Sequence, residues 1–303
     1  MTTMITSQRV CNASPFLKWA GGKTQLLPVI LQHVPFHFDT YIEPFLGGGA
    51  LFFELQPRKA VLADSNAELI NCYTMVRDRV EDIIAELSSY SYSEEFYYEL
   101  RSQEPQDPIL RAARLIYLNR TCYNGLYRVN KKGQFNVPFG KYHNPVICDT
   151  ERLRAASAAL QHAELYCSDY REALRNFAKP GDFIYIDPPY HPVSQYSDFK
   201  RYTAEFFYEE DQLTLAQKVK ELAEQGSYVL VSNSYCDFIL NIYRDFQIIE
   251  VSAKRNINKD PQKRGDVKEV LVVCGHYSSL HQTTRQLALW EASRESYLTS
   301  GMQ

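Results

Sequence analysis

The chain has 303 residues, 45% of them hydrophobic and 23% charged, with a formal net charge of −3. These are ordinary values for a folded soluble protein of two domains, or of one large domain with an inserted lobe. No apolar run approaches the ~20 residues of a membrane span. The seven cysteines, odd in number and without a CxxC pair, argue against a zinc site or a disulfide framework and suit a reducing cytosol.

Residues 1–14 are set aside as a disordered leader. MTTMITSQRV lacks the apolar core of a signal peptide and resembles the leader of beta-galactosidase fusion vectors. Trp19-Ala20-Gly21-Gly22-Lys23-Thr24 superficially suggests a phosphate-binding loop. That motif needs a glycine at position 17, where Leu17 stands, and no adequate strand precedes it, so nucleotide triphosphate binding is rejected.

Residues 41–46, YIEPFL, read as a buried strand running into Gly47-Gly48-Gly49, with ALFFEL helical behind it. Residues 60–63 read as a second strand ending at Asp64, and 66–76 as a helix. Strand, glycine loop, helix, strand and acidic residue predict the first half of an open α/β sheet. The stretch from about 78 to 160 is helix-prone, rich in Tyr and Arg, and broken by a polar segment at 124–145. Strand signals return at 182–186, 227–232, 246–251 and 269–274, with an amphipathic helix over 211–226. One α/β sheet interrupted by a mostly helical insertion is the simplest architecture.

Four segments carry chemistry. In the first, glycines after a strand let a ligand approach the backbone, and Asp64 at the next strand end can accept from both ribose hydroxyls of an adenosine-bearing cofactor. A tight turn with a capping Asp remains the structural alternative, and Phe52 stands where a dinucleotide fingerprint would need its third glycine. The second is the Trp19–Thr24 segment. The third, Asp187-Pro188-Pro189-Tyr190 at a strand end, is the most specific. A purine amine is a poor nucleophile because its lone pair is delocalised. The Asp187 carboxylate and Pro188 carbonyl can accept its two N–H groups, proline rigidity fixes the turn, and Tyr190 offers a ring to stack on a base. The fourth runs from Arg120 through Tyr123, Asn124, Leu126 and Arg128 to Asn136, Pro138, Lys141 and Tyr142, with Arg and Asn suited to base edges and Tyr123 and Leu126 to wedging into a stack. Between Arg111 and Pro145 there are seven basic residues and no acidic one. Charge alone leaves a phosphate-facing surface and an ordinary solvated surface equally open.

FLKWAGGK, EPFLGGGALFFEL, ADSNAELI, LNR with YNGLYR, FNVPFGKY and DPPY, in that order, resemble the Dam-type, alpha-group adenine-N6 DNA methyltransferases from about Phe16 to Tyr277. The resemblance implies a Rossmann-like S-adenosylmethionine-dependent methyltransferase sheet made of residues 15–77 and 161–277. It implies a DNA-recognition domain at 78–160 and leaves 278–303 as a tail. It assigns Trp19, Lys23, Glu43, Pro44, Phe45, Gly47, Gly48, Gly49, Asp64, Asn66, Asp169, Tyr170 and Asp187 to the cofactor, and Asp187 to Tyr190 to catalysis. To DNA it assigns Lys18, Arg120, Tyr123, Asn124, Leu126, Arg128, Pro138 and Tyr142, with Asn130, Asn136 and Lys141 on phosphates. It implies double-stranded DNA as partner, GATC as target, base flipping, no metal, a monomer in the cytoplasm, and a possible restriction endonuclease alongside. Thr121-Cys122 replaces a more aromatic pair of some relatives, and Lys141 stands where others carry Arg, which removes a bidentate contact. Residues 252–268, with six basic and two acidic residues, are read as a loop on the DNA backbone or a plain hairpin loop, and 191–203 as a segment ordering over the bound base.

Rival readings are a cytosine-N4 or RNA amine methyltransferase, a non-catalytic DNA-binding protein that keeps the cofactor fold, and a nicotinamide-dependent oxidoreductase. A cytosine-C5 enzyme is disfavoured because no cysteine stands in a Pro-Cys context.

Overall fold

The computed structural model describes residues 12–192, 207–254 and 266–275. Seven strands form one sheet: β1 Tyr41–Glu43, β2 Ala60–Asp64, β3 Ala163–Cys167, β4 Phe183–Ile186, β5 Tyr228–Ser234, β6 Gln247–Lys254 and β7 Asp266–Cys274. Their order is β3-β2-β1-β4-β5-β7-β6, and β7 alone runs against its neighbours. This is a doubly wound order with an antiparallel strand slipped in beside β5.

Six of the seven strands lie where the sequence pattern puts them. The first ends at Glu43 because Pro44 has no N–H to continue the ladder. β3 has no counterpart in the sequence reading. It is an edge strand whose AELYC residues are mostly half-buried or exposed, so it lacks an apolar run.

Strict alternation sorts side chains to two faces. Tyr41, Leu62, Phe183, Tyr185, Leu230 and Leu271 face one core, and Ile42, Val61, Ile184, Ile186, Val229, Val231 and Val272 the other. The first core also holds residues from α1 Leu27–Ile30, α2 Ala50–Leu55, α3 Ala67–Asp78, α4 Val80–Ser89, α5 Glu94–Ser102, α6 Pro108–Thr121 and α7 Thr150–Leu160. The helical insertion at 78–160 therefore shares one continuous core with the sheet. The second core is closed by α8 Tyr170–Phe177, α9 Glu209–Glu224 and α10 Asp237–Ile242. Helix starts follow from local chemistry: Asn66, Ser93, Asp107, Asp149 and Asp169 each accept from backbone N–H groups of the first turn of the helix that follows. No helix among the described residues is long and apolar enough to cross a membrane.

Of the expected leader, residues 12–14 are described, and Ala13 packs against the first core. Of the loop expected at 252–268, residues 252–254 and 266–268 belong to the paired strands β6 and β7, and 255–265 lie outside the described residues, as do 193–203 of the segment expected at 191–203 and the tail at 278–303.

A buried amide helps tie the strip before the sheet to the insertion. Asn119 on α6 accepts from the Lys18 N–H at 2.8 Å and donates to the carbonyls of Lys18 at 2.7 Å and Gly125 at 3.2 Å. It stands in for a strand neighbour across 101 residues of chain. Asn119→Ala leaves these backbone groups without it and should cost about 1–3 kcal/mol in urea unfolding. A loss within measurement error would show that the strip does not depend on this clamp.

Candidate active site

The strand order reverses between β1 and β4, which opens a crevice at their carboxyl ends. Loops after β1, β2 and β4 converge there. After β1, Gly47 and Gly49 adopt φ of +47° and +63°, in the left-handed region that side chains disfavour. A Cβ on Gly47 would lie 3.0 Å from the Trp19 ring, and one on Gly48 would lie 3.2 Å from Trp19 Cβ. The glycines thus let the backbone lie flat against Trp19, whose other partner is Tyr127, stacked at 5.1 Å.

Asp64 at the end of β2 accepts from the Gly47 N–H at 3.1 Å and the Asn66 N–H at 2.9 Å. Burial raises its carboxyl pKa, and these two donors oppose the rise. These two bonds pin the glycine loop to β2. Asn66 likewise spends Oδ1 on capping α3. Tyr73 holds the loop from below by donating to the Gly47 carbonyl at 3.2 Å.

Glu43 is buried and accepts the Tyr41 hydroxyl at 2.7 Å. Burial drives its pKa up to about 8; the Tyr41 bond opposes this, and the nearby Asp187 and Asp64 charges add to it.

Asp187 follows β4. Its Oδ2 forms a salt bridge of 2.8 Å with Lys23, which is buried and also donates to the Gly21 carbonyl at 2.5 Å. The Lys23 ammonium lies 4.8 Å from the centre of the Tyr190 ring. Tyr190 donates its hydroxyl to Glu269 on β7 at 2.7 Å. Burial, with the Asp187 and Glu269 charges, holds this phenol well above its ordinary pKa. Phe45 stacks on Tyr170 at 5.1 Å, with Phe207 edge-on to Phe45 at 5.9 Å. Asp169 caps α8 and pairs with Arg171 on a half-exposed rim.

The nucleic-acid candidates fall into groups. Lys18, Asn124, Leu126 and Trp19 line one cleft of about 450 Å³ together with Arg152 and Thr24. The Lys18 ammonium sits 4.8 Å from the centre of the Tyr142 ring, and its pKa is lowered by burial and by Arg120. Gly125, at φ +62°, passes so close that a Cβ would meet Lys18 Cδ at 2.4 Å. Tyr123 is exposed, and its N–H bonds the Pro138 carbonyl. Arg128 is held by Asn136 through Oδ1 at 2.7 Å and the carbonyl at 3.1 Å. Asn130 closes an exposed turn with Gln134, and Lys141 lies 3.7 Å from Glu94. The basic run does not act as one surface. Arg111 pairs with Glu68, and Arg114 donates to the Leu100 and Arg101 carbonyls. Arg120 is largely enclosed beside Arg152 and Asp149.

Asn119, Tyr127, Gln212 and Glu269 contact candidate site groups, and Asn233 and Ser234 hold the adjoining His191 backbone, yet none of the six is marked as a site residue by the sequence pattern. Among the described residues there is no group of three His, Cys, Asp or Glu side chains able to hold a metal ion.

A reversed-order α/β sheet with a glycine loop after β1 and an Asp-Pro-Pro-Tyr turn after β4 defines a methyltransferase-type enzyme. The chain belongs to the D12 class N6 adenine-specific DNA methyltransferase family, whose pattern matches residues 19–257. It is 43% identical over 271 residues to a Type II methyltransferase of Lactococcus lactis subsp. cremoris, covering 86% of this chain and 95% of that one. It is 42% identical over 284 residues to a Type II methyltransferase of Methanocaldococcus jannaschii, covering 86% and 98%. It is 36% identical over 264 residues to the DNA adenine methylase of Escherichia coli, covering 85% and 94%.

Glu43 has a direct stability signature. Its pKa rises on folding from an ordinary 4.5 to about 8, so the native state binds the proton more tightly than the unfolded chain. Its contribution should fall as pH rises through that window. Denaturant titrations of the ligand-free protein at pH 5 and pH 8 should show Glu43→Gln losing markedly less stability over this interval than the parent. Equal losses would contradict the assignment.

Proposed function

We propose that this adenine-specific DNA methyltransferase takes its methyl group from S-adenosylmethionine and delivers it to adenine N6 within GATC, after the adenine has left the duplex. The observation that carries this reading is the Asp187–Tyr190 turn. Among the described residues no donor reaches the Pro188 carbonyl, whereas the Pro189 carbonyl is already occupied by Gln212. One backbone acceptor is thus left beside the Asp187 carboxylate, as binding the two N–H groups of an exocyclic amine requires.

The crevice suits the cofactor. The Gly47–Gly49 loop offers bare backbone against the Trp19 ring, Asp187 pairs with Lys23, and the Glu43 carboxyl lies near Lys23 and near the Asp64 and Asp187 charges, a setting fitted to a ligand that carries both amine and cationic sulfonium groups. Trp19, Lys23, Glu43, Pro44, Phe45, Asp64 and Asn66 would hold it, with Asp169 and Tyr170 at the adenosine end. When bound, S-adenosylmethionine supplies the electrophilic methyl carbon.

The protein's part is positioning. Lys23 anchors the Asp187 carboxylate through Oδ2, so that the carboxylate and the Pro188 carbonyl accept from the amine and leave its lone pair free to attack. The Tyr190 ring stacks on the base, and its hydroxyl is steadied by Glu269. A paired adenine cannot reach this turn, so the base is extruded. Tyr123 and Leu126 act as wedges, and Lys18, Asn124, Pro138 and Tyr142 contact the DNA around the vacated position. Arg120 belongs to the same DNA-facing segment, and Asn130, Asn136 and Lys141 meet phosphates. Residues 15–77 and 161–277 do the chemistry, and 78–160 reads the DNA. The two relatives named Type II methyltransferases support a place beside a restriction endonuclease.

Methyl transfer from labelled cofactor to a duplex containing GATC should yield N6-methyladenine, and a duplex with the site scrambled should yield none. Equal labelling of both would remove the GATC assignment. Arg128→Ala should cost about 1–3 kcal/mol of discrimination at one guanine. A uniform loss on every sequence would make Arg128 a phosphate contact.

A further inference from the structure

The Asp187–Tyr190 turn does not hold its own shape. Two of its residues are prolines without N–H groups, so few backbone bonds can brace it. The bracing comes from two side-chain amides, each with 0% exposure, on elements distant in sequence. Gln212 on α9 donates from Nε2 to the Pro189 carbonyl at 2.9 Å. Asn233 on β5 donates from Nδ2 to Gln212 Oε1 at 3.0 Å, and its Oδ1 accepts from the His191 N–H at 3.3 Å. Ser234 donates from Oγ to the His191 carbonyl at 2.8 Å. The chain of donors runs one way, from Asn233 to Gln212 to Pro189, so each amide has a defined orientation.

Packing alone gives no reason for a glutamine here. Gln212 stands on the α9 stripe of Leu215, Ala216, Val219 and Leu222, which buries against the second core. An apolar side chain would suit that stripe better, since a buried amide must recover the hydrogen bonds it leaves in water. What the amide adds is a donor aimed at one carbonyl of the turn.

We infer that Gln212 is a positioning residue for methyl transfer. By engaging the Pro189 carbonyl it fixes the peptide plane between Pro189 and Tyr190, leaves the Pro188 carbonyl as the acceptor for the target amine, and sets the direction of the Tyr190 ring. Asn233 orients the Gln212 amide for that task. This inference rests on the reading of the turn as the binding place of the target amine.

The test is single-turnover methyl transfer with cofactor and DNA both saturating, from pH 5.5 to 8.5, for the parent, Gln212→Leu and Gln212→Glu. Gln212→Leu should lose about 10–100-fold in rate, while the Kd values for S-adenosylmethionine and for DNA stay within about twofold of the parent. Gln212→Glu keeps the acceptor for Asn233, and its protonated carboxyl can donate to the Pro189 carbonyl. The ratio of its rate to the parent's should therefore approach one at low pH and fall as the carboxyl ionises, while the Gln212→Leu ratio stays flat, so that any pH dependence set by Glu43 in the crevice cancels. A merely structural role would carry the same pH dependence into the Kd values for S-adenosylmethionine and for DNA and into thermal stability, whereas a positioning role leaves both Kd values flat relative to the parent's from pH 5.5 to 8.5. A Gln212→Leu rate within about twofold of the parent, or a Gln212→Glu profile parallel to the parent's, overturns the inference. If Gln212→Leu does not fold, the Gln212→Glu profile decides alone. A parent protein that transfers no methyl group would instead sink the reading of the turn itself.

Discussion

The salt bridge between Lys23 and Asp187, at 2.8 Å, is the joint on which the site depends. It connects a short strip of chain that precedes the sheet to the loop that leaves the sheet's central strand. Within that strip, Trp19 walls the glycine loop, Lys18 lies over Tyr142 of the insertion, and Asn119 grips the Lys18 backbone from α6. The glycine-loop crevice, the Asp187–Tyr190 turn and the cleft lined by Asn124 and Leu126 therefore share one strip, Lys18 to Lys23. A shift of this strip by an ångström would disturb all three at once, which explains why it is clamped by a buried amide and ended by a buried ion pair.

Around that joint, a rigid sheet supplies fixed strand ends and loops supply chemistry. β1, β2 and β4 are buried on both faces, so the carboxyl groups at their ends have little freedom. Asp64 and Asn66 devote much of their hydrogen bonding to holding the glycine loop and α3, and that effort preorganises the crevice. The antiparallel β7 brings Glu269 beside the end of β5, within reach of the Tyr190 hydroxyl. The addition of β7 to a doubly wound sheet thereby gives the Tyr190 hydroxyl its partner.

Much of this was legible in the sequence, because the signals were local. Six strands showed as apolar runs, and the EPFLGGG and DPPY segments showed as a glycine loop and a proline turn at strand ends. What was not legible depends on long-range placement. β3 is an edge strand with polar exposed positions, so periodicity does not mark it. Charge alone left the basic run from Arg111 to Lys141 open between a phosphate-facing and an ordinary solvated surface, and only the fold shows that Arg111 and Arg114 turn to Glu68 and to helix-end carbonyls. Gln212 did leave a trace, since it occupies a core position in the helical stripe that Leu215, Val219 and Leu222 continue. A polar residue in such a stripe is a readable anomaly, although its partner, the Pro189 carbonyl, could not be named without the fold. The 36–43% identity to named relatives fixes the family, while the roles of individual residues rest on geometry.

The central claim is that the Asp187 carboxylate acts on the target amine and is not merely a structural counter-ion to Lys23. The most direct measurement compares Asp187→Ala with the parent in two assays on one preparation, methyl transfer to duplex DNA and DNA binding. The account predicts a loss of about 10²–10³-fold or more in turnover, with DNA affinity largely kept. Turnover within a few-fold of the parent would contradict it.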